Sequence, residues 1–335
     1  MTSHTSEPGS APIVFPILGL KPDVHLQVFN QAFHVHSLCL KTHSEFFRKF
    51  LDSPEKAGST SSMNSEFAYN WVTQIDEDGT WSLVSTEALH QTPTAKLAGT
   101  PSLHVEAFCT LLQAMYNSPI VIYSFDHLIK VTALADYYRC LPTLSVAVSA
   151  SLCSSPSCLT INLPENSLEL LDVAAKLRNK VLFKECLIYL VGSFHETKYR
   201  SIQNKTLRCL AEQAHRSLKL KIAELHFKTL DMLADSDPRV HDFYNDLGAF
   251  SMALTWTTKD HMRRAQLPRL YKALLEKLEC EGGPTWYCLI LESALKSNLR
   301  LNTSAQAGVG KFEDTFLCAE ISDDMLPWDV NEIAW

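Results

Sequence analysis

Apolar positions change their period once early in the chain, and that change organises its first half. Val24, Leu26 and Val28 alternate with His25 and Gln27, the period of a half-buried strand. Phe33 and Val35 repeat the alternation, so the stretch predicts a β-hairpin turning at Asn30-Gln31. From His36 the spacing becomes helical. Leu38 and Leu40 come first, then Phe46, Phe47, Phe50 and Leu51 after a break at Thr42-His43, which predicts two short helices. Ser44 offers an N-cap oxygen to the second.

Further along, Phe67 to Ile75 and Trp81 to Val84 read as two strands joined by Asp76-Glu77-Asp78-Gly79, a composition suited to a hairpin turn. Helices are predicted over His104 to Asn117, Phe125 to Tyr138 and Thr143 to Leu152, with a short strand, Ile120 to Tyr123, between the first two. Ser154-Ser155-Pro156-Ser157 is a linker composition. From Ser167 the pattern is helical, in two stretches separated near Asn179. A longer helix follows, with Leu207, Leu210, Ala214, Leu218, Ile222, Leu225 and Leu230 on one face and Arg208, Glu212, Arg216, Lys219 and Lys221 on the other. Two more are expected after Asp237-Pro238, ending near Trp256 and Leu278, and a last one over Trp286 to Leu299. Short connections predict antiparallel packing in a bundle.

The hairpin-to-helix stretch resembles the BTB/POZ domain, a protein-interaction fold. Asp23, Phe33, Val35, His36, Ser44 and Phe47 match the family pattern there. A second block agrees in order, from Ala107-Phe108 through Leu111-Leu112 to Met115-Tyr116, then Leu128, Val131 and Leu134-Ala135-Asp136-Tyr137-Tyr138. The acidic-turn hairpin and the helical region after it are similar to uncharacterised fungal BTB proteins, and the resemblance spans about residues 20 to 195. It implies an α+β BTB domain over 20–152 carrying an inserted β-hairpin at 66–85. A flexible N-terminus at 1–19 precedes it, and a linker at 153–166, an all-α domain at 167–303 and an acidic tail at 304–335 follow. In many family members an added N-terminal strand reaches a partner subunit, and Ile13 to Leu20 is where such a strand would sit, with Pro16 confining it to an edge.

The resemblance implies a non-catalytic interaction module, a homodimer through the BTB domain acting as a scaffold or adaptor. Its interaction residues would be Asp23, His36, Leu38, Leu40, Phe46 and Phe47. Alternatives are a substrate receptor for a cullin-type ubiquitin ligase and a nuclear transcription regulator. Glu55-Lys56-Ala57 do not match the hydrophobic-x-Glu motif of cullin-recruiting members, and Ser37 stands where the family's repressors carry a basic residue, which favours the adaptor.

Charge and chemistry narrow the function further. Of a net charge of -7, most lies beyond Lys311, where seven acids face that one lysine. The rest is near neutral, which gives no electrostatic case for nucleic acid. The patches Arg216, Lys219, Lys221 and Lys259, His261, Arg263, Arg264 read as solvated helix faces. No apolar run is long enough for a membrane helix, and the first residues lack an export signal, so an intracellular protein of cytoplasm or nucleus is expected. Its ten cysteines are then expected to be reduced and mostly buried.

His34, His36, Cys39 and His43 form the most metal-like cluster, but strand and helix direct them apart; Cys153 and Cys158 lack a matching pair. There is no Gly-x-Ser-x-Gly elbow, and Gly310-Lys311 lacks the earlier glycine of a phosphate loop, reading as a hinge. The expectation is therefore no catalytic, cofactor or metal site. Met325, Leu326 and Trp328, set among acids, are expected to form a docking motif in a solvated tail or a strap on the chain's own helices.

Overall fold

A computed structural model describes residues 11–51, 66–86, 97, 99–154, 162–193, 198–234 and 266–332. These fall into two compact units, one ending at Ser154 and one covering the described residues from 162 onward. The architecture is mixed α and β, with a small sheet and helices in the first unit and helices in the second.

In the first unit, β1 (Ile13–Val14), β2 (Val24–Val28), β3 (Gln31–Val35), β4 (Tyr69–Ile75) and β5 (Trp81–Ser85) form one sheet in the order β1-β3-β2-β4-β5. The β2–β3 alternation holds, and Val24, Leu26, Val28, Phe33 and Val35 are fully buried. The turn falls one residue earlier than expected, at Phe29-Asn30, because Phe29 takes a left-handed backbone (φ 51°) and Gln31 pairs with Val28.

The β4–β5 hairpin is not an appendage. β4 runs parallel to β2, with Leu26 opposite Trp71, and Trp71 and Leu83 lie in the core. Gly79 closes its turn with φ 80°, a conformation that glycine adopts without a Cβ penalty. Ile120 to Tyr123 departs from expectation in the opposite way. Ile120 and Ile122 are buried and Val121 and Tyr123 exposed, as in a strand, yet the segment joins no ladder among the described residues.

Between β3 and β4 lie α1 (Ser37–His43) and α2 (Glu45–Phe50); after β5 come α3 (Pro101–Met115), α4 (Phe125–Tyr137) and α5 (Leu141–Ser154). Ser44 caps α2 by accepting the Phe47 N–H at 3.1 Å and donates its own hydroxyl to the Tyr138 carbonyl. Phe47 and Tyr138 stack with centroids 5.2 Å apart, and Phe108 packs edge-on to both Tyr138 and Phe33. One aromatic group thus ties the short helices, the sheet and α3 together.

The second unit contains α6 (Ser167–Lys176), α7 (Lys180–Gly192), α8 (Lys205–Ala234), α9 (Leu267–Glu281) and α10 (Thr285–Leu295). Asn179 separates the first two by accepting the Leu182 N–H at 3.0 Å, as an N-cap. Leu218, Ile222 and Leu225 of α8 meet Tyr271, Leu274 and Leu278 of α9 and Tyr287, Leu291 and Ala294 of α10, each helix contributing at helical spacing. Leu230, expected on that inward face, is exposed. The helix expected to end near Trp256, and the patch around Arg263, lie outside the described residues. No described helix is long and apolar enough to cross a membrane.

Residues 304–332 follow the strap reading and not that of a solvated tail. Phe312, Phe316, Leu317, Cys318, Ala319, Ile321, Met325 and Leu326 are buried, and Phe316 and Cys318 belong to the core of α8, α9 and α10. Gly310–Phe312 is a 3-10 turn rather than a hinge. The segment is a packed strap. Four of its acids pair with basic residues elsewhere in the unit: Asp323 with Lys180 and Lys184, Glu332 with Arg178, Glu320 with Lys221 and Glu313 with Arg269.

Candidate functional site

The site is the point in the first unit where β3 gives way to α1. His36 is the N-cap residue of α1, with extended backbone and no side-chain cap of its own. Asp23 supplies the cap from the neighbouring segment: Oδ1 accepts the Ser37 N–H at 2.7 Å and Oδ2 accepts the Ser37 hydroxyl at 2.5 Å. Its main chain is equally committed, donating to the Val35 carbonyl and accepting from the Ala68 and Tyr69 amides. Asp23 therefore joins the end of β3, the start of α1 and the start of β4. Ser37 does this as a hydrogen-bond donor to a carboxylate, so no charged Asp–basic pair forms there.

His36 is buried and does a related job. Its main-chain N–H donates to Tyr116 Oη at 2.7 Å, leaving that hydroxyl to donate to Nδ1 at 3.0 Å. The other ring nitrogen lies 3.3 Å from the Leu20 carbonyl, which only accepts, so this pattern assigns the proton to Nε2. Burial raises the Tyr116 hydroxyl far above the ordinary phenol range. These bonds make a structural clasp between β3, the end of α3 and the segment before β2.

Around the clasp, apolar side chains face outward. Leu38, in the first turn of α1, is 63% exposed, whereas Leu40 on the same helix is fully buried. Leu18 and Leu20 are exposed, with Ile17 and Leu20 closing a short antiparallel bridge. Ile13 and Val14 are exposed on β1, which runs parallel to β3 at the edge of the sheet. This strand pairs with β3 of its own chain.

Of the residues the sequence singles out, Leu38 alone is an open apolar side chain at this junction. Leu40 and Phe47 are core, and Phe46 is half-buried among Phe50, Trp71, Tyr137 and Tyr138. Met325 and Leu326 are buried in the second unit, and Trp328 packs edge-on against Phe183 at 5.3 Å, so this trio is internal packing and not an open docking motif. The sequence offered the apolar run Ile13 to Leu20 as a strand toward a partner, without placing Ile13, Val14, Leu18 and Leu20 among the interaction residues. It also missed Leu220, Phe227 and Leu230, exposed on one face of α8.

The metal-like cluster has other occupations. His34 packs against Phe67 and His25, His43 Nδ1 lies 3.5 Å from the Thr143 hydroxyl, and the Cys39 thiol donates to the Met115 carbonyl at 3.2 Å. Burial pushes that thiol up to about 11, a poor nucleophile. Among the described residues no three His, Cys, Asp or Glu side chains could hold a metal ion. The nine described cysteines are free, but Cys153, Cys209 and Cys280 are exposed, fewer buried thiols than the composition suggests.

No family model, curated protein or solved structure matches this chain.

Proposed function

We propose that the chain is a non-catalytic protein-interaction module, a scaffold or adaptor whose first unit is a BTB/POZ domain that pairs with a second copy of itself. The observation that carries this is the set of exposed apolar side chains on the segments meeting at the β3–α1 junction: Leu38, Leu18, Leu20, Val14 and Ile13. They surround polar groups that are already fully used, so the surface offers apolar contact area rather than reacting groups. The order of elements supports the BTB reading. A hairpin leads directly into two short helices, a strand then returns beside the hairpin, and three helices follow.

The test is the oligomeric state. Light scattering at micromolar concentration is expected to give a dimer, and Leu38→Asp to give a monomer of unchanged stability, because an exposed side chain contributes less than about 0.5 kcal/mol to folding. A wild-type protein that stays monomeric would remove self-pairing. An undiminished dimer in Leu38→Asp would move the interface away from this junction.

A further inference from the structure

In its second half α8 is apolar on two opposite sides. Leu218, Ile222 and Leu225 enter the core with α9 and α10. On the other side Leu220, Phe227 and Leu230 are 67%, 68% and 61% exposed, with half-buried Ala223 between the first two. Single exposed apolar side chains need no explanation, but three large ones aligned on one helix face form a patch suited to a partner.

The spacing fits one kind of partner. Leu220, Ala223, Phe227 and Leu230 recur in alternating steps of three and four residues, the seam of a helix laid along another helix. Lys219 and Glu224 flank the seam on opposite sides, and one heptad later His226 and Asp231 flank it in the same order; all four are exposed. In a parallel, in-register pair, the residue just before one seam position meets the residue five further along the second copy. Lys219 then meets Glu224 of the second copy and His226 meets Asp231, each contact made twice about the two-fold axis. An antiparallel pair would bring Glu224 beside Asp231 and Lys219 beside His226. The flanks are thus complementary to themselves in the parallel orientation. Arg216, on the same stripe just before Leu220, would face its own copy and ends the seam on that side.

We propose that α8 is a second self-pairing surface, on which two copies of the chain lay Leu220, Ala223, Phe227 and Leu230 together as parallel, in-register helices. A seam of about four turns falls short of the roughly 20 to 30 residues a side of a stable interface, so alone it pairs weakly. Its strength grows where another contact between the same two copies raises their effective concentration. The seam lies in the second unit and stands whether or not the first unit self-associates.

Light scattering of the full chain from about 1 μM to about 1 mM tests it with variants at exposed positions. Lys219→Glu and Glu224→Lys each set like charges across the seam and should weaken self-association about tenfold. The double variant restores opposite charges and should return to the wild-type affinity. Leu38→Asp separates the two surfaces. It is expected to be monomeric at about 1 μM, while at about 1 mM a dimer remains that Lys219→Glu removes. Failure of the first-unit interface would show as micromolar association that Leu38→Asp leaves unaltered. The α8 proposal is overturned by a Leu38→Asp protein that stays monomeric at about 1 mM, by single charge reversals without effect, or by a double variant no better than the singles. It also falls if Phe227→Asp lowers the urea midpoint and leaves association unchanged, since the stripe would then be covered by the chain's own residues.

Discussion

Adding one methyl group at Gly192 distinguishes a packed strap from a solvated tail by the sign of its effect. Gly192 ends α7, and its carbonyl accepts the Phe316 N–H at 3.0 Å. A Cβ there would sit 2.1 Å from the Phe316 carbonyl oxygen and 2.9 Å from Thr315 Cγ2. Contacts under 3.0 Å do not occur for real Cβ atoms, so the strap backbone must retreat by roughly 1 Å. That retreat forfeits the Phe316 hydrogen bond, about 1 kcal/mol. It also loosens fully buried Phe316; complete truncation of a core Phe costs about 3 to 5 kcal/mol, and half of that is about 2 kcal/mol. Replacing a helical glycine by alanine returns up to about 1 kcal/mol, leaving a net loss of about 2 kcal/mol. Urea denaturation measures the total, and hydrogen exchange at 314–319 localises it to the second unit, since two units need not unfold together. A solvated tail has nothing for the new methyl group to strike, so Gly192→Ala would then be neutral or stabilising. Either outcome would refute the strap.

Two further predictions follow from named contacts. Asp23→Ala removes the cap of α1 and should cost about 1 to 2 kcal/mol, with faster hydrogen exchange at the start of that helix; Asp23→Asn, keeping one acceptor, should fall between, and exchange unchanged in both would remove the capping role. The Lys180 and Lys184 ammonium groups hold the Asp323 carboxyl down at about 2, below its ordinary 3.8. A depressed carboxylate stabilises above its unfolded value and loses that contribution as pH falls through the folded one, so exchange protection at 321–328 should decline between about pH 4 and pH 2, and earlier at high salt. A strap whose protection is flat across that window would show that these ion pairs do not hold it.

Legibility followed the range of each contact. The β2–β3 hairpin, α1, α2 and the Ser44 cap were readable because periodicity and capping are local signals. Pairing of β4 with β2 was not, since a parallel partner leaves no mark on a strand's own alternation; Trp71 and Trp81 only said that something would cover them. Ile120 to Tyr123 shows the converse. Its burial alternates as the pattern predicted, but a ladder needs a neighbour, and that lies outside the segment itself. For the site, the resemblance named Asp23 and His36 as interaction residues, and the sequence could not tell that each is consumed by internal bonding. The same blindness placed Leu40 and Phe47 on a surface: a helical apolar stripe states which side chains share a face, not which of them are covered.

The strap shows why charge composition misleads when it is summed by segment. Seven acids beyond Lys311 look like self-repelling solvated chain only if their partners are left out of the sum. Arg178, Lys180 and Lys184 stand at and just before the start of α7, more than a hundred residues earlier, and receive Glu332 and Asp323. Ahead of both acids runs Phe316-Leu317-Cys318-Ala319, four consecutive buried residues whose backbone bonds Gly192 and Asn298. Exposed ion pairs contribute little individually, about 0 to 1 kcal/mol, so burial of that apolar run is the larger force and the acids set its register.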